Sequence, residues 1–584
     1  MFKHLRLIWP YLARYLDHLL FGLDAIVMTN VLMLLTPLVL RRAINRIESG
    51  GPLDGLTGDA LLIVGLALVA GLFRFLVRRS VIWASRWIGY DLRGDLFRHV
   101  LKLDGPFFDR TPTGDIITRA TSDIDQVRMM IGPGIMQGTN TLIVALVAIP
   151  LMLMLDWQLA LYAFAPLPLL ALATNLLGGI AHRRSLAVQE SFSRLSASVQ
   201  ESLAGIRVLK SYAREADRSD HFRKDSTEYF ELNMRLTKLW GAFMPIMALI
   251  SGGTVILVLY FGGVGVIEDR LDLGTLVAFA IYLGMLVWPM VALGWVVSLY
   301  QRGTASLKRL QEIFDTQNSV TDPEPARRRG IPDASSLEFR HLSFIYPTAS
   351  NGSAGLTDIT FKITSGETVA IAGPTGGGKS TVAHLLSRRY PIGDGMMLLS
   401  GVDANAVPVA EWRRRIASVT QEPFLFSQTL RSNIAFGSGP LEDDKLVAIA
   451  EMAAFHKDVL EFPNRYETMV GERGITLSGG QKQRATIARA LATDADVLIL
   501  DDAFSAVDSQ TEGEILDRLQ TIFGTRIIIL ITHRIATLRR TGRVLFIENG
   551  RLADSGTHDE MVARGGAYAR WVQRETILEE LEQM

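Results

Sequence analysis

Six apolar runs, each near the roughly 20 residues needed to cross the hydrocarbon of a bilayer, lie ahead of Arg302: Leu19–Leu40, Ala60–Val77, Gly134–Leu155, Leu159–Ala181, Trp240–Ile267 and Leu273–Leu299. Nothing else in the sequence limits the fold so strongly. In lipid every backbone N–H and C=O must find its partner within the protein, so the runs are predicted to be helices. Pro37, Pro150, Pro166, Pro168, Pro245 and Pro289 lie in or beside them. Membrane helices tolerate such breaks better than soluble ones do. The first run is longer than a signal-peptide core and no small-residue cleavage site follows it, so it is expected to be retained.

The connections between runs are unequal. Little more than Asp156-Trp157-Gln158 joins the third to the fourth, and a short segment around Glu268-Asp269-Arg270 joins the fifth to the sixth. Arg78–Pro133 and His182–Leu239 are instead long, polar and rich in Arg and Lys. The positive-inside tendency places these two, and the amino terminus with Lys3 and Arg6, in the cytoplasm. Within them Ile88, Leu92, Leu96, Val100 and Leu103 recur at helical spacing, which predicts membrane helices that run on past the bilayer and turn back. The tips of those turns are Phe107-Phe108-Asp109 through Gly114-Asp115-Ile116-Ile117, and Glu201 through Val208.

A chain of 584 residues is long enough for several domains. It is 48% hydrophobic and carries a formal net charge of zero, so no global field points to a nucleic-acid partner. It has no cysteine, which excludes disulfides, thiolate metal sites and cysteine nucleophiles. From Thr316 to Ser336, Pro323, Pro325, Arg327-Arg328-Arg329, Gly330 and Pro332 read as a linker. Beyond it, short β-branched strands alternate with helical patterns, the mark of an α/β domain. Val369–Ala372 and Val497–Leu500 read as buried parallel strands.

Directly after the first of these strands comes Gly373-Pro374-Thr375-Gly376-Gly377-Gly378-Lys379-Ser380, followed by Thr381 and a helical pattern. Its glycines let backbone N–H groups approach phosphate oxygens, and the helix amino terminus adds a favourable dipole. Lys379 is expected to reach the β- and γ-phosphates of ATP, and the Ser380 hydroxyl to bind Mg²⁺. The strand Val497–Leu500 ends in Asp501, an acid that would orient Mg²⁺ where strand carboxyl ends form a ligand crevice.

Between those two lies Leu477-Ser478-Gly479-Gly480-Gln481, which resembles the signature of ABC ATPases. Other motifs resembling that family follow its order. Tyr346 resembles the aromatic residue that stacks on adenine, and Gln421 the lid glutamine that senses Mg²⁺ and the membrane domain. Glu472 sits in a Gly-Glu-Arg-Gly segment similar to the exporter-specific loop. Ser505-Ala506-Val507-Asp508 resembles the loop exchanged between ATPase domains, and His533 resembles the switch histidine. The resemblance covers nearly the whole chain. It implies an all-α six-helix transmembrane domain over 1–315 with coupling helices in 78–133 and 182–239, a linker over 316–336, and over 337–584 an α/β phosphate-loop ATPase domain with a helical signature subdomain. It also implies export of amphipathic drugs, lipids or peptides by alternating access in a membrane, expected to be the bacterial inner membrane, with the amino terminus and the ATPase domain cytoplasmic.

One position departs from the family pattern. Most members carry a glutamate after the strand aspartate to polarise the attacking water; here it is Asp502. Its carboxylate is one methylene shorter, and misplacement by about 1 Å can cost roughly 10²-fold in a positioned reaction. Among the catalytic candidates Asp502, Gln421 and His533, the first therefore predicts a slow site that still binds ATP. ATPase domains of the family pair head to tail, so the intact signature Ser478 to Gln481, with Asp508, would complete a second half-transporter's site. That predicts a heterodimer resembling the bacterial multidrug-type exporters with one degenerate site. A homodimer or lipid flippase with two slow sites, an importer on the same architecture, a purely regulatory half and a soluble ABC ATPase are the alternatives; six attached apolar runs weigh against the last.

Asn30, Gln137, Asn140 and Asn175 interrupt the apolar helices and are expected to act as interhelical glue. Asp24 and Arg74 are expected to pair across the first two helices, the alternative being that Arg74 snorkels to the headgroups while Asp24 faces water.

Overall fold

The computed structural model describes residues 2–50, 52–333, 335–347, 355–471, 476–522 and 526–583. The chain forms two compact units, Met1–Arg98 with Ile117–Phe314, and His99–Ile116 with Asp315–Met584.

Among the described residues, five helices of the first unit are long and apolar enough to cross a membrane: Leu16–Glu48, Leu53–Val100, Thr113–Leu155, Glu215–Ile267 and Leu273–Phe314. The fourth apolar run is divided into Trp157–Phe164 and Leu167–Ala204. The break falls at Pro166, which lacks the N–H that the ladder needs and whose ring crowds the preceding turn. Rising 1.5 Å per residue, the 53-residue helix Glu215–Ile267 is about 80 Å long, more than twice the hydrocarbon thickness. The expected extensions are therefore continuous with the membrane helices, and short helices, Gly105–Arg110 and Ile206–Ser211, form the tips.

Buried side chains of Leu34, Ala148, Met152, Leu159, Val258, Phe279 and Tyr282 make one core of this unit, and the Tyr282 hydroxyl donates to the Leu34 carbonyl at 2.6 Å. Leu61, Leu68, Leu72, Leu146, Leu161, Leu249 and Ile256 stand exposed around it, as side chains facing lipid would. The two short connections are tied together: Asp156 accepts from the Leu159 N–H at 2.6 Å, capping the next helix, and pairs with Arg270 at 2.6 Å.

The expected Asp24–Arg74 pair is not formed. Arg74 donates to the Met33 sulfur at 2.8 Å, while Asp24 is exposed and has no ion-pair partner among the described residues. Side-chain direction explains this. Gly22 packs against Ser80 and Val81, and Arg46 reaches the Gly55 carbonyl at 2.7 Å, so the antiparallel hairpin sets Arg74 opposite the turn around Met28; its side chain runs from there toward Met33, away from Asp24.

Among the described residues of the second unit, ten strands form two sheets. The six-stranded sheet runs β10(Arg551–Gly556), β9(Arg543–Glu548), β3(Thr368–Ala372), β8(Ile527–Ile531), β7(Val497–Asp501), β6(Ile416–Val419). All neighbours from β9 to β6 are parallel, and β10 is antiparallel. The four-stranded antiparallel sheet runs β2(Gly355–Thr364), β1(Ser336–Ile345), β4(Met397–Leu399), β5(Val402–Asp403). β7 and β8 are fully buried, as parallel strands covered on both faces must be.

His99–Ile116 belongs to this unit through specific bonds. The Gly105 N–H donates to the Arg389 carbonyl at 3.0 Å, and a Cβ there would lie 2.8 Å from that oxygen. Asp109 accepts from the Tyr390 hydroxyl at 2.6 Å. Asp104 accepts from the N–H groups of Ser319 and Val320 at 2.6 and 3.0 Å, which ties the segment after Phe314 to the same place. Asp322 continues the attachment, accepting from the Val409 N–H at 2.8 Å.

Asp59, 1% exposed, holds both Arg42 and Arg46 at the hairpin between the first two long helices. Removing the shared acceptor leaves two cations without a counter-charge, so Asp59→Ala should destabilise the unit by about 3 kcal/mol, the low end for a buried pair because both guanidiniums reach solvent. Arg42→Ala should cost less, since Arg46 remains. Thermal unfolding of the detergent-purified chain checks the order; equal effects would mean that the carboxylate is not shared.

Candidate functional site

Carboxyl ends of adjacent parallel strands align in register: Ile371 lies opposite Ile531, and Ile531 opposite Asp501. The residues just beyond them therefore meet. β3 delivers the glycine-rich loop into the helix Lys379–Leu386, β7 delivers Asp501 and Asp502, β8 delivers Thr532 and His533, and β6 leads to Gln421. Together with Tyr346, Ser380 and Thr381 they line one cleft of about 510 Å³. Sequence motifs spaced over nearly 190 residues are thus brought to one crevice at the strand ends, where open α/β sheets bind ligands.

The loop's shape requires glycine at two points. Gly373 has φ +150°, and a Cβ there would lie 2.0 Å from the Ile547 carbonyl oxygen; Gly378 has φ +104°, and its Cβ would meet Leu356 at 2.8 Å. Lys379 Nζ donates to the carbonyls of Gly373 and Pro374, at 2.8 and 2.9 Å, so the ammonium spans the mouth of the loop it belongs to. Burial lowers its pKa, and the charges of Asp501 and Asp502 oppose that shift. The Ser380 hydroxyl donates to Asp501 at 3.2 Å. Asp501 is 6% exposed, and burial raises its pKa. A buried carboxylate beside a hydroxyl, with Gln421 lining the same cleft, offers the hard oxygen ligands that suit Mg²⁺.

Tyr346 stands at the other wall. Its hydroxyl donates to Thr381 Oγ1 at 3.1 Å, lies 3.1 Å from His384 Nδ1, and its ring meets Tyr390 edge-on at 5.1 Å. Asp502 has φ +47°, its N–H donates to the Ile531 carbonyl at 2.9 Å, and its carboxylate lies 3.4 Å from His533 Nδ1. Hydrogen bonding to Asp502 is the largest cause of a raised His533 pKa.

The signature lies outside this cleft. Ser478 accepts from the Gln481 N–H and the Gln481 side chain accepts from the Ser478 N–H, a capping box that starts the helix Gly479–Ala492. Gly480 packs so close to Ala506 that a Cβ would lie 2.7 Å from its carbonyl oxygen. Gln483 donates to Ser505 at 2.6 Å and accepts from the Ala506 N–H at 2.8 Å. Asp508 accepts from the Thr511 N–H at 2.9 Å. Signature and exchanged loop are therefore one packed surface, while Glu472 lies outside the described residues.

Two lining residues escaped the sequence reading: Arg574 and Glu575, on the helix Ala567–Gln583. Tyr568, Trp571 and Val572 of that helix are buried against Ala370, Ile535, Phe546 and Met561. Steps of three and four residues carry the same face on to Glu575. That face places a carboxylate, 18% exposed, beside Lys379 and His533. The stripe was visible in the sequence; the surface it packs on was not.

Three outcomes are expected. Lys379→Ala should abolish ATP binding at this cleft. Glu575→Gln should tighten it only by about twofold, because the Arg574 guanidinium, 3.3 Å away, already offsets part of the repulsion between that carboxylate and the phosphates; labelled-nucleotide binding to the purified chain measures both, and a weaker Glu575→Gln would assign the carboxylate a helpful role instead. His533 should lose its proton above the ordinary value of 6.5. The charged pair with Asp502 is then complete below that pH and disappears as pH rises through the raised value. Asp502→Ala should bring the histidine titration, followed by NMR, back down.

Comparison with known proteins agrees with this geometry. Residues 19–290 match the family model "ABC transporter transmembrane region", and residues 356–505 the family model "ABC transporter". The "Probable multidrug resistance ABC transporter ATP-binding/permease protein YheI" of Bacillus subtilis (strain 168) is 34% identical over 558 residues, covering 92% of this chain and 94% of the relative. The "ATP-dependent lipid A-core flippase" of Desulfotalea psychrophila is 31% identical, covering 87% and 88%. The structure of a bacterial Atm1-family ABC exporter with ATP bound superimposes with a TM-score of 0.77 at 25% identity, covering 97% of this chain and 98% of that one. A membrane domain and an ATPase domain joined in one chain, with full-length relatives of that kind, make this protein a member of the ABC transporters, of the ATP-driven exporter type.

Proposed function

We propose that this chain is one half of a heterodimeric exporter of amphipathic compounds, whose own phosphate-loop site binds ATP but hydrolyses it slowly and whose signature completes a faster site on a different partner chain. Asp502 carries the reading. Its carboxylate is one methylene shorter than a glutamate's and lies 3.4 Å from His533 Nδ1. The names of a multidrug relative and a lipid flippase support an amphipathic cargo. In this reading residues 1–315 are the membrane domain, 316–336 the linker and 337–584 the ATPase domain, with the amino terminus and ATPase cytoplasmic.

The residues then divide the work. Tyr346 stacks on adenine, and the loop N–H groups from Gly373 to Thr381 hold the phosphates. Lys379 exchanges its two carbonyl partners for phosphate oxygens. Ser380, Gln421 and Asp501 hold Mg²⁺, which screens the phosphate charge when bound. His533 meets the γ-phosphate side of the cleft. Across the dimer, Ser478, Gly479, Gly480 and Gln481, with Asp508, face the partner's nucleotide. ATP binding closes the ATPase pair, and the tips at Gly105–Arg110 and Ile206–Ser211 carry the movement into the membrane helices.

Two substitutions separate the roles. Asp502→Asn should leave steady-state ATPase activity of the complete transporter nearly unchanged. Ser478→Arg should remove most of it, although no contact in this chain's own cleft is altered. Loss of most activity in Asp502→Asn would make the site competent and would favour a homodimer with two equivalent sites.

A further inference from the structure

A second cavity, of about 330 Å³, lies within the membrane unit among the helices Leu16–Glu48, Leu53–Val100, Thr113–Leu155 and Leu273–Phe314. Asn30, Gln137 and Asn140, three of the polar residues scattered along the apolar runs, line it together, with Arg74, Arg78 and Trp288. No carboxylate is among its lining residues.

The polar groups of this cavity are not consumed by one another. Gln137 Nε2 is buried without a hydrogen-bond partner, an arrangement that costs stability unless an acceptor arrives. Asn30 Nδ2 donates within its own helix, to the Ile26 carbonyl at 2.8 Å, which leaves its amide oxygen over. Arg74 and Arg78, four residues apart, share a helix face. Arg74 contacts only the weakly accepting sulfur of Met33, at 2.8 Å, and Arg78 has no ion pair among the described residues. Opposite the turn around Met28 and reaching Met33, Arg74 stands inside the first apolar run, Leu19–Leu40, and not at its end. Cations so placed, with no counter-charge, mark a substrate or ion path.

We propose that this cavity is a site for amphipathic anions: a phosphate, sulfonate or carboxylate head held by Arg74 and Arg78 with a donor from Gln137, and an apolar body lying against Trp288. Planar guanidiniums suit such heads because each can donate two parallel bonds. Two unpaired positive charges also reject hydrophobic cations, so the same residues select by repulsion. The assignment rests on the export reading and narrows its cargo.

Equilibrium binding to the full chain, with its partner where the two co-purify, in phosphatidylcholine nanodiscs tests it. Labelled oleoyl lysophosphatidic acid should bind about tenfold or more tightly than oleoyl lysophosphatidylcholine. Arg74→Gln with Arg78→Gln should erase that preference while ATP binding persists, and the two Lys substitutions should retain it. Gln137→Leu should weaken the anion severalfold and leave the choline lipid unchanged. Competition by 8-anilinonaphthalene-1-sulfonate would make the site one for amphipathic anions in general; competition by the lipid alone would make it one for a lipid headgroup. Equal affinity of the wild-type chain for the two lipids overturns the proposal whether or not the variants fold, as does a preference unchanged in the double Gln variant. The export reading fails differently. Anion-selective binding without ATP-driven uptake of lysophosphatidic acid into inside-out vesicles removes export and keeps the site. Uptake of tetradecyltrimethylammonium at least as fast as the anion removes the anion site and keeps export.

Discussion

The hydrogen bond from the Tyr390 hydroxyl to Asp109, 2.6 Å long, connects a piece of the chain that lies between membrane helices to the wall of the ATP cleft. Tyr390 is 2% exposed, and burial, then the bond to Asp109, raises the pKa of its hydroxyl, so it stays a donor throughout the physiological range. Its ring meets that of Tyr346 edge-on, and Tyr346 in turn bonds to Thr381 at the start of the phosphate-loop helix. In the proposed function, a base stacked on Tyr346 would press on a ring one contact away from the segment His99–Ile116. Asp104 fastens the other end of that segment to Ser319 and Val320. With both aspartates bonded and Gly105 leaving no room for a Cβ, the segment is fastened to the ATPase body at three points.

That rigidity gives the cleft its meaning. Lys379 spends its three donors partly on the carbonyls of its own loop, which keeps a buried ammonium satisfied at the cost of holding the loop closed on itself. Phosphate oxygens replace those carbonyls as stronger, charged acceptors. Glu575 adds opposition from the carboxyl-terminal helix, so nucleotide must displace an internal set of bonds and a negative charge to enter. Binding energy spent there is available to reposition the helix and, through Tyr346 and Tyr390, the membrane-derived segment.

Much of this was readable before any coordinates. Apolar length predicts membrane helices because lipid offers the backbone no other partner, and the phosphate loop is legible because its glycines answer to steric limits as local as the Gly373 Cβ that would lie 2.0 Å from a carbonyl oxygen. Motifs with local causes survive without a structure. The unread parts depend on which surface meets which. Glu575 looks like any solvated glutamate until Trp571 and Val572 are seen buried on the sheet beside β3. The pairing of Arg74 failed for the same reason: its side chain turns toward Met33 and away from Asp24, a direction that the spacing of charges in two separate runs does not contain. Pro166 was noted as a break, yet whether a proline kinks a helix or divides it depends on what its neighbours can supply to the freed carbonyls.

The register of the hairpin between the first two long helices also decides between two accounts of the membrane charges. An arginine near a helix end can reach the headgroups along its own aliphatic stem at little cost. One that starts opposite the turn around Met28 and reaches Met33 is inside the apolar run, where insertion scales give roughly 2.5–3.5 kcal/mol for a cation at a helix centre. Two such residues on one face, with a buried unpaired amide donor on the facing helix, would sum to a penalty that is a large share of a domain's marginal stability of about 5–15 kcal/mol. A sequence keeps such an arrangement where water or an anion offsets it during the working cycle. In an exporter whose cavity alternates between the two sides of the membrane, water supplies the offset while the cavity is open, and a bound anionic head supplies it when the cavity closes. The same charges that make the resting site costly are then the reason for it to close on cargo of one sign.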